Sequence, residues 1–341
     1  MSAICSDFGI CHARTLTSEQ VAKIYKACLE DKKQVDFDDM LYYLMQSDVE
    51  LPHYDYIFVD EAQDLSPIQI ELLGRLNDDN NMVVALGDTY QAIYGFRGAD
   101  ATAMKKLGTM LNMEHLPLSI CYRCNQDIVK HAQGIVPHIE ADGTRDMGGV
   151  NKLTMSSDWV DSIQDGSFVL CRTNAPLLLV LFSLYKRGKK AKILGKDYGR
   201  NMYKLYNKLK KKNDTISQLV DRVNKWENLE LSRYKKKRDF FRRLKITDDA
   251  EALKLVIGSC SDVGGVVNKI NSIFSDSKAG ITLSTIHKAK GMEADYVHII
   301  RPDILPHPKA AEGWQAEQEE NMLYVAITRA KKELNYVHKV D

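Results

Sequence analysis

Residues 54–100, YDYIFVDEAQDLSPIQIELLGRLNDDNNMVVALGDTYQAIYGFRGAD, decide how the chain is read. Two short apolar runs, Tyr56 to Val59 and Met82 to Leu86, each lead into an acidic residue, and a helix-like stretch separates them. Ser66 and Pro67 mark the start of that helix as a cap and a first-turn proline, and it is expected to run through Leu76. Strand, helix, strand with a polar residue after each strand is the pattern of a parallel α/β sheet, whose ligands meet the carboxyl ends of the strands. Asp60 and Glu61 stand where the first strand stops. One carboxylate there can hold a hydrated Mg²⁺ while its neighbour orients or deprotonates a water. Asp88 and Gln91 close the second strand at the same rim.

An isolated Asp-Glu pair would read as acidic residues on a helix start. Here Asp60-Glu61-Ala62-Gln63-Asp64 is followed by Gly87-Asp88 and Gln91-Ala92-Ile93-Tyr94-Gly95-Phe96-Arg97-Gly98-Ala99-Asp100. In order and content these runs resemble motifs II and III of the UvrD/PcrA/Rep group of superfamily 1 DNA helicases. Three further runs extend the resemblance. Tyr122-Arg123 within Ser119 to Asn125 resembles motif IV, with Cys121 and Cys124 departing from the usual residues. Gly280 to Tyr296, containing Thr285, His287, Lys290, Gly291 and Glu293, resembles motif V. Glu319 to Lys331, containing Arg329, resembles motif VI. The segment Phe37 to Leu41 is similar to the FDDLL-type run that precedes the first of these motifs in the family.

The resemblance implies two RecA-like, P-loop NTPase-type parallel-sheet domains, the first incomplete and the second carrying a small helical insertion. The expected boundaries are 1–150 for the first, with motifs II to IV, and 151–341 for the second, with motifs V and VI and the insertion at about 198–276. It implies ATP and Mg²⁺ as cofactors in a cleft between two lobes, with single-stranded and partly duplex DNA as partner and 3′ to 5′ movement. By resemblance Asp60 binds Mg²⁺ and Glu61 activates water. Gln63 and Gln91 sense the γ-phosphate, Asp88 lines the nucleotide site, and Tyr122 packs near the base. Arg123 and Arg329 serve as arginine fingers, while Gly291 admits the backbone and Glu293 contacts the sugar. Tyr94, Phe96, Arg97, Thr285 and His287 meet DNA.

One component is missing from the sequence. No G-x-x-x-x-G-K-[ST] stretch occurs in it; Gly195-Lys196 is followed by Asp197 and has no glycine five residues before it. Carboxylates and arginines are present without the nest of backbone N–H groups and the lysine that hold β- and γ-phosphates. The strand bearing that loop normally pairs with the Met82 to Leu86 strand, so one edge of this strand is expected to be open, and an open apolar edge is an aggregation hazard. Residues 1–16, a separate P-loop-bearing polypeptide, or a longer product of which this is a segment could each cover it. A non-catalytic protein that binds single-stranded DNA or regulates a helicase is the rival reading. A fused nuclease of the RecB kind is not expected, since only Lys331 to Asp341 follow motif VI in this sequence.

Composition adds bounds. At 341 residues the chain can hold two domains, and no stretch approaches a membrane span or a signal peptide. Seven cysteines without regular spacing suggest reduced thiols in a cytosolic compartment. Cys121-x-x-Cys124 has no second pair to complete a zinc site and reads as two incidental cysteines at a helix start. The net charge is +1, yet residues 200–245 hold 16 Lys/Arg against 5 Asp/Glu. That segment is either a solvated helical face or a phosphate-contacting surface. Thr17 to Gln20 reads as a capping box, Asp142 to Asp165 as a linker, His115 to Leu118 as a short strand, and Phe168 to Cys171 as the first strand of the second sheet.

Overall fold

A computed structural model describes residues 18–30, 35, 37–95, 98–100, 102–234, 240–274, 280–308, 310 and 313–339. The chain divides into two compact units, Met1–Leu118 and Ser119–Asp341. No helix of the described residues is long and apolar enough to cross a membrane.

The first unit contains α1 (Ser18–Glu30), α2 (Phe37–Gln46), β1 (Tyr56–Val59), α3 (Pro67–Leu76), β2 (Met82–Ala85) and α4 (Ala103–Met110). The start of α3 is fixed by a capping box: Gln69 Oε1 accepts from the Ser66 N–H at 2.8 Å, and Pro67 occupies the first turn. β1 and β2 pair in parallel with Tyr56 opposite Met82 and Val59 opposite Ala85. Alternation then sends Val59 and Ala85 to one face and Tyr56, Phe58, Met82 and Val84 to the other. Ala85 packs on the small core of Ile70, Ala103 and Leu107. The opposite face stays open, with Tyr56 63%, Phe58 71% and Met82 57% exposed. Among the described residues β2 pairs with β1 alone.

The second unit begins with β3 (Ile120–Cys121), α5 (Gln126–Ala132) and β4 (Glu140–Ala141), β3 and β4 forming a small parallel pair. There follow β5 (Gly149–Thr154), α6 (Ser157–Ser162), β6 (Phe168–Cys171), α7 (Ala175–Lys186) and β7 (Ala191–Ile193). Four helices come next: α8 (Lys196–Leu209), α9 (Ile216–Arg233), α10 (Phe240–Gly258) and α11 (Gly265–Ile273). The unit closes with β8 (Ile281–Thr285), α12 (Ile286–Ala289), β9 (Ala294–Ile300), α13 (Trp314–Ile327) and β10 (Ala330–His338). The six strands run in the order β5-β10-β9-β6-β8-β7, every pair parallel. Because crossover helices cover both faces, β6 and β8 are buried along their whole length. The mixed α/β arrangement with a six-stranded parallel sheet is that of a RecA-like helicase domain.

From 196 to 273 the described elements are helices, and they pack into the main core through Met202, Tyr206, Leu219, Val223, Leu253 and Val256. Asp248 of α10 reaches across to α7. Its carboxylate accepts from the Asn174 and Ala175 N–H groups, each at 2.8 Å, and so caps a helix distant in sequence. Burial raises the Asp248 pKa, and the Asn174 amide and these N–H groups oppose it.

The compact units divide between 118 and 119, whereas the expected domains divide at 150, and the motif IV segment belongs to the second unit, where the Asn125 N–H donates to Lys331 O at 2.8 Å. Two expectations need correction. The short strand is Ile120–Cys121, and Leu116 and Leu118 are exposed, since an extended apolar run needs a neighbouring strand and only Ile120–Cys121 has one, in Glu140–Ala141. The stretch expected to link domains contains an edge strand, β5, and the helix α6. β5 pairs on one side only, so its sequence, GVNKLT, lacks the continuous apolar run of a central strand. The capping residue Thr17 lies outside the described residues, as does most of the basic run between Tyr234 and Arg243.

Candidate functional site

In the first unit the ends of β1 and β2 are tied together by one chain of polar groups. The Leu86 N–H donates to Val59 O at 2.8 Å and the Ala62 N–H to Leu86 O at 2.9 Å, carrying the ladder past the strand ends. Asp60 follows β1 and accepts the Glu61 N–H at 2.9 Å. Glu61 adopts a left-handed conformation, φ 52°, which for a residue with a Cβ costs on the order of 1 kcal/mol. Its carboxylate accepts the side-chain amide of Gln63, and Gln63 Oε1 in turn accepts the Asp88 N–H at 3.0 Å. Asp88 then accepts from the Gln91 side-chain amide at 2.9 Å and from the Tyr90 N–H at 2.9 Å.

This relay, Glu61–Gln63–Asp88–Gln91, depends on Gly87. A Cβ at Gly87 would stand 2.6 Å from Gln63 Oε1 and 2.8 Å from Met104 Sδ, so a side chain there would require the Gln63 amide oxygen that accepts from Asp88 to shift. Gln63 is buried and Asp60 exposed. Tyr94 is half-buried, while Phe96 and Arg97 lie outside the described residues.

The second unit holds the remaining residues on the segments after β3, around α12 and after α13. Arg123 Nε donates to Glu293 Oε2 at 2.7 Å, and Lys331 Nζ approaches Glu293 Oε1 at 2.8 Å. The Lys331 ammonium and the Arg123 guanidinium hold the Glu293 carboxyl below its usual range against a smaller effect of burial. Arg329 is 1% exposed. Its guanidinium donates to Val325 O at 3.0 Å, Met292 O at 3.2 Å and Thr328 Oγ1 at 3.1 Å. Burial, and next the positive charge of Arg123, lower its pKa to about 10. In this arrangement Arg329 closes the end of α13, whereas Arg123 remains partly exposed.

Tyr122 is exposed, and its carbonyl accepts from Arg145. Thr285 is buried at the junction of β8 and α12, and His287 is half-buried one residue into the helix. Gly291 has φ +80°, a left-handed turn that brings Met292 O to Arg329. Gly148 has φ +81°, and a Cβ there would meet Asn125 Cβ at 2.6 Å and Lys332 O at 2.8 Å.

Sequence reasoning missed this last glycine, the Arg123–Glu293 pair, and the buried pair between Arg172, at the end of β6, and Glu319 of α13. Arg172 Nε and Nη2 reach Glu319 Oε1 at 2.9 and 2.8 Å, locking the start of the motif VI helix to the sheet. An Arg directly after the apolar run Phe168 to Cys171 was the available signal for Arg172.

The residues fit one half of a nucleotide site. An exposed carboxylate at a strand end suits Mg²⁺, which takes one or two carboxylates and keeps waters and phosphate oxygens as its other ligands. Among the described residues no three His, Cys, Asp or Glu side chains cluster as metal ligands. For the phosphates, the sequence supplies no glycine-rich GK[ST] loop.

Residues 11–111 match the family described as UvrD/REP helicase N-terminal domain, and residues 280–337 match the UvrD-like helicase C-terminal domain. F-box DNA helicase protein 1 of Schizosaccharomyces pombe is 26% identical over 309 residues, covering 82% of this chain and 33% of that protein. F-box DNA helicase 1 of Gallus gallus is 27% identical over 330 residues, covering 89% of this chain and 31% of its own length. The ATP-dependent DNA helicase PcrA of Leuconostoc citreum is 29% identical over 137 residues, 36% of this chain and 18% of PcrA. The chain thus spans about a third of the length of the two F-box relatives. The two matched segments stand in the order N-terminal then C-terminal domain, and the relatives are UvrD/PcrA-type and F-box DNA helicases.

Proposed function

We propose that the chain is the greater part of an ATP-dependent DNA helicase motor that moves 3′ to 5′ on single-stranded DNA, with the phosphate-binding loop supplied by polypeptide outside these 341 residues. The observation that carries the reading is the Glu61–Gln63–Asp88–Gln91 relay across the ends of two parallel strands, closed over a glycine whose Cβ position the Gln63 amide occupies. Bound ATP and Mg²⁺ would supply the transferable phosphoryl group and the charge that activates it. Asp60 presents a carboxylate to the metal. Glu61 orients the attacking water and takes its proton, and the Gln63 amide holds the Glu61 carboxylate in place. Gln63 also touches the Asp88 backbone, so a change at the phosphate end moves β2 and the segment after it, where Tyr94, Phe96 and Arg97 would contact DNA. Arg123 is the guanidinium this chain can offer to a phosphate. Arg329 would reach one only by exchanging its carbonyl bonds. Thr285 and His287 would lie along the DNA backbone, Gly291 would admit it closely, and Tyr122 and Glu293 would line the nucleotide base and sugar.

The two F-box relatives and PcrA carry the words DNA helicase in their names, which supports the substrate class. The missing GK[ST] loop favours one alternative, a DNA-binding or helicase-regulating protein without turnover. One experiment separates them. ATP hydrolysis is measured with pure chain and single-stranded DNA, alone and after mixing with a polypeptide that carries a GK[ST] phosphate-binding loop. The expected result is little or no turnover alone, turnover on mixing, loss of that turnover in Glu61→Gln, and displacement of a strand from a 3′-tailed but not a 5′-tailed partial duplex. Robust DNA-stimulated hydrolysis by the chain alone, abolished by Glu61→Gln, would overturn the separate loop. DNA binding without turnover under any pairing would favour the regulator.

A further inference from the structure

The end of α8 and the turn into α9 carry five lysines in nine residues, Lys204, Lys208, Lys210, Lys211 and Lys212, and all five side chains are exposed. Among the described residues no carboxylate forms an ion pair with them, whereas Arg200, Arg222, Arg233, Lys245 and Lys254 of the same insertion each meet one. The negative end of α8 stabilises a cation in its last turn, Lys208, but Lys211 and Lys212 lie past the cap and gain little from it. Lys210, Lys211 and Lys212 line a groove of about 470 Å³ with Asn207 and Asn213, and the segment before α11 contributes Val263 and Gly264. The Tyr206 hydroxyl donates to Val263 O at 2.7 Å and fixes the two sides to one another. Asp214 is the carboxylate in the lining, with its side chain 2% exposed. It accepts the Lys211 N–H at 2.7 Å and pairs with Arg222, so it shapes the turn and leaves the ammonium groups uncompensated. Asp262, beside Val263, is likewise engaged, by the Gly265 N–H at 2.9 Å. Like charges on adjacent residues repel one another, and an arriving polyanion relieves that repulsion.

We infer that the groove between α8 and α9 is a separate DNA contact, which holds the phosphodiester backbone of a duplex through Lys210, Lys211 and Lys212 without reading its sequence. Single-strand binders add exposed aromatic rings on which bases stack. The ring in this lining, Tyr206, is 1% exposed, and the Lys210 ammonium stands over it at 5.1 Å from the centroid. Bases gain nothing here, so the groove reads phosphate alone, and a duplex presents phosphate at twice the axial charge density of one strand. Lys204 and Lys208, one turn apart on α8, extend the positive strip along the helix. The choice of DNA rests on the proposed function; the phosphate chemistry of the groove does not.

Fluorescence anisotropy on the full chain with a short blunt duplex tests it across a range of salt. Wild type is compared with the triple change Lys210→Gln, Lys211→Gln and Lys212→Gln. A charge-matched control changes Lys105, Lys130 and Lys225 to Gln, all exposed and distant in sequence from the groove. Each lysine that neutralises a phosphate of B-DNA adds about 0.9 to the slope of log affinity against log salt, so the groove variant should be shallower by about 2.7. Wild type should then lose about 40-fold more affinity than the groove variant as salt rises from about 50 to 200 mM. The control should keep the wild-type slope, and a single strand of the same sequence should bind the groove variant almost as well as it binds wild type. Equal slopes for wild type and groove variant, or a control as shallow as the groove variant, would overturn the inference. So would a single strand that loses as much as the duplex, or displacement of duplex by inorganic tripolyphosphate at equal phosphate concentration, which would assign the groove to a free polyphosphate. The measurement needs neither nucleotide nor a phosphate-binding loop, so the groove can fail while the helicase reading stands, and strand displacement can fail while the groove binds.

Discussion

The strands of the two units are written in a similar alphabet and meet different fates. YIFV of β1 and FVLC of β6 are both short apolar runs leading into a polar residue, yet every residue of β6 is buried while Tyr56 and Phe58 of β1 lie open. β6 has strands on both edges and helices on both faces; β1 and β2 have each other and one covered face. The number of neighbours, rather than strand composition, decides how much an apolar run contributes to stability. Burial of a large apolar side chain is worth about 1.5–3 kcal/mol, and an exposed one gives almost none of that.

The contrast can be broken most forcefully at the buried pair of the second unit. Glu319→Ala would leave the Arg172 guanidinium, 8% exposed, without its carboxylate. The expected cost is about 3–5 kcal/mol in denaturant unfolding. The double change Arg172→Met with Glu319→Leu should cost less than the single one, because it removes both charges. A double variant no more stable than Glu319→Ala would show that the pair contributes packing and not charge balance.

His298 sharpens the same contrast through pH. It is buried in β9, where Trp159 Nε1 donates to its Nδ1 at 3.2 Å and Glu333 is the nearby acid. Burial lowers its pKa to about 4, with Glu333 opposing weakly. Below about 6.5 the unfolded chain takes up a proton that the folded one refuses, so the stabilising contribution is present above 6.5 and is lost as pH falls towards 4. The loss amounts to about 3 kcal/mol. Unfolding free energy of wild type minus His298→Leu, measured from pH 7 to pH 4, should fall by this amount; a difference that stays flat would mean the ring is solvated.

The smallest expected effect lies in the first unit. Replacing Tyr56 and Phe58 together by Ser should alter unfolding free energy by less than about 0.5 kcal/mol, since both side chains already face outward. The same change should lower binding of a hydrophobic dye. A loss of more than about 2 kcal/mol would show that this face is covered in solution.

Much of this fold was legible because its signals are local. Ser66, Pro67 and Gln69 announce α3 within four residues, and Phe168 to Cys171 can be little else than a buried strand. β5 was illegible because an edge strand need satisfy only one neighbour, and Asn151 and Lys152 can stand in it at no cost. For the site, the acidic rim at Asp60 and Glu61 could be read from strand ends, and the order of motifs pointed to Arg123 and Glu293 separately. Their pairing spans 170 positions of sequence, and the cap that Asp248 gives Asn174 spans 74. Such contacts follow from which helix the sheet brings alongside, and no local pattern encodes that.

Glu293 occupies Arg123 as a resident competitor. Partly exposed ion pairs of this kind are worth less than about 1 kcal/mol, so the carboxylate is easily displaced, but an incoming anion must offer more than a single weakly held charge to displace it. Lys331 keeps the ejected carboxylate close at hand, ready to return when the anion departs. Were Arg123 to take a phosphate as proposed, the loop would discriminate by valence: chloride or acetate would gain nothing over the incumbent, whereas a multiply charged group would gain a full exchange.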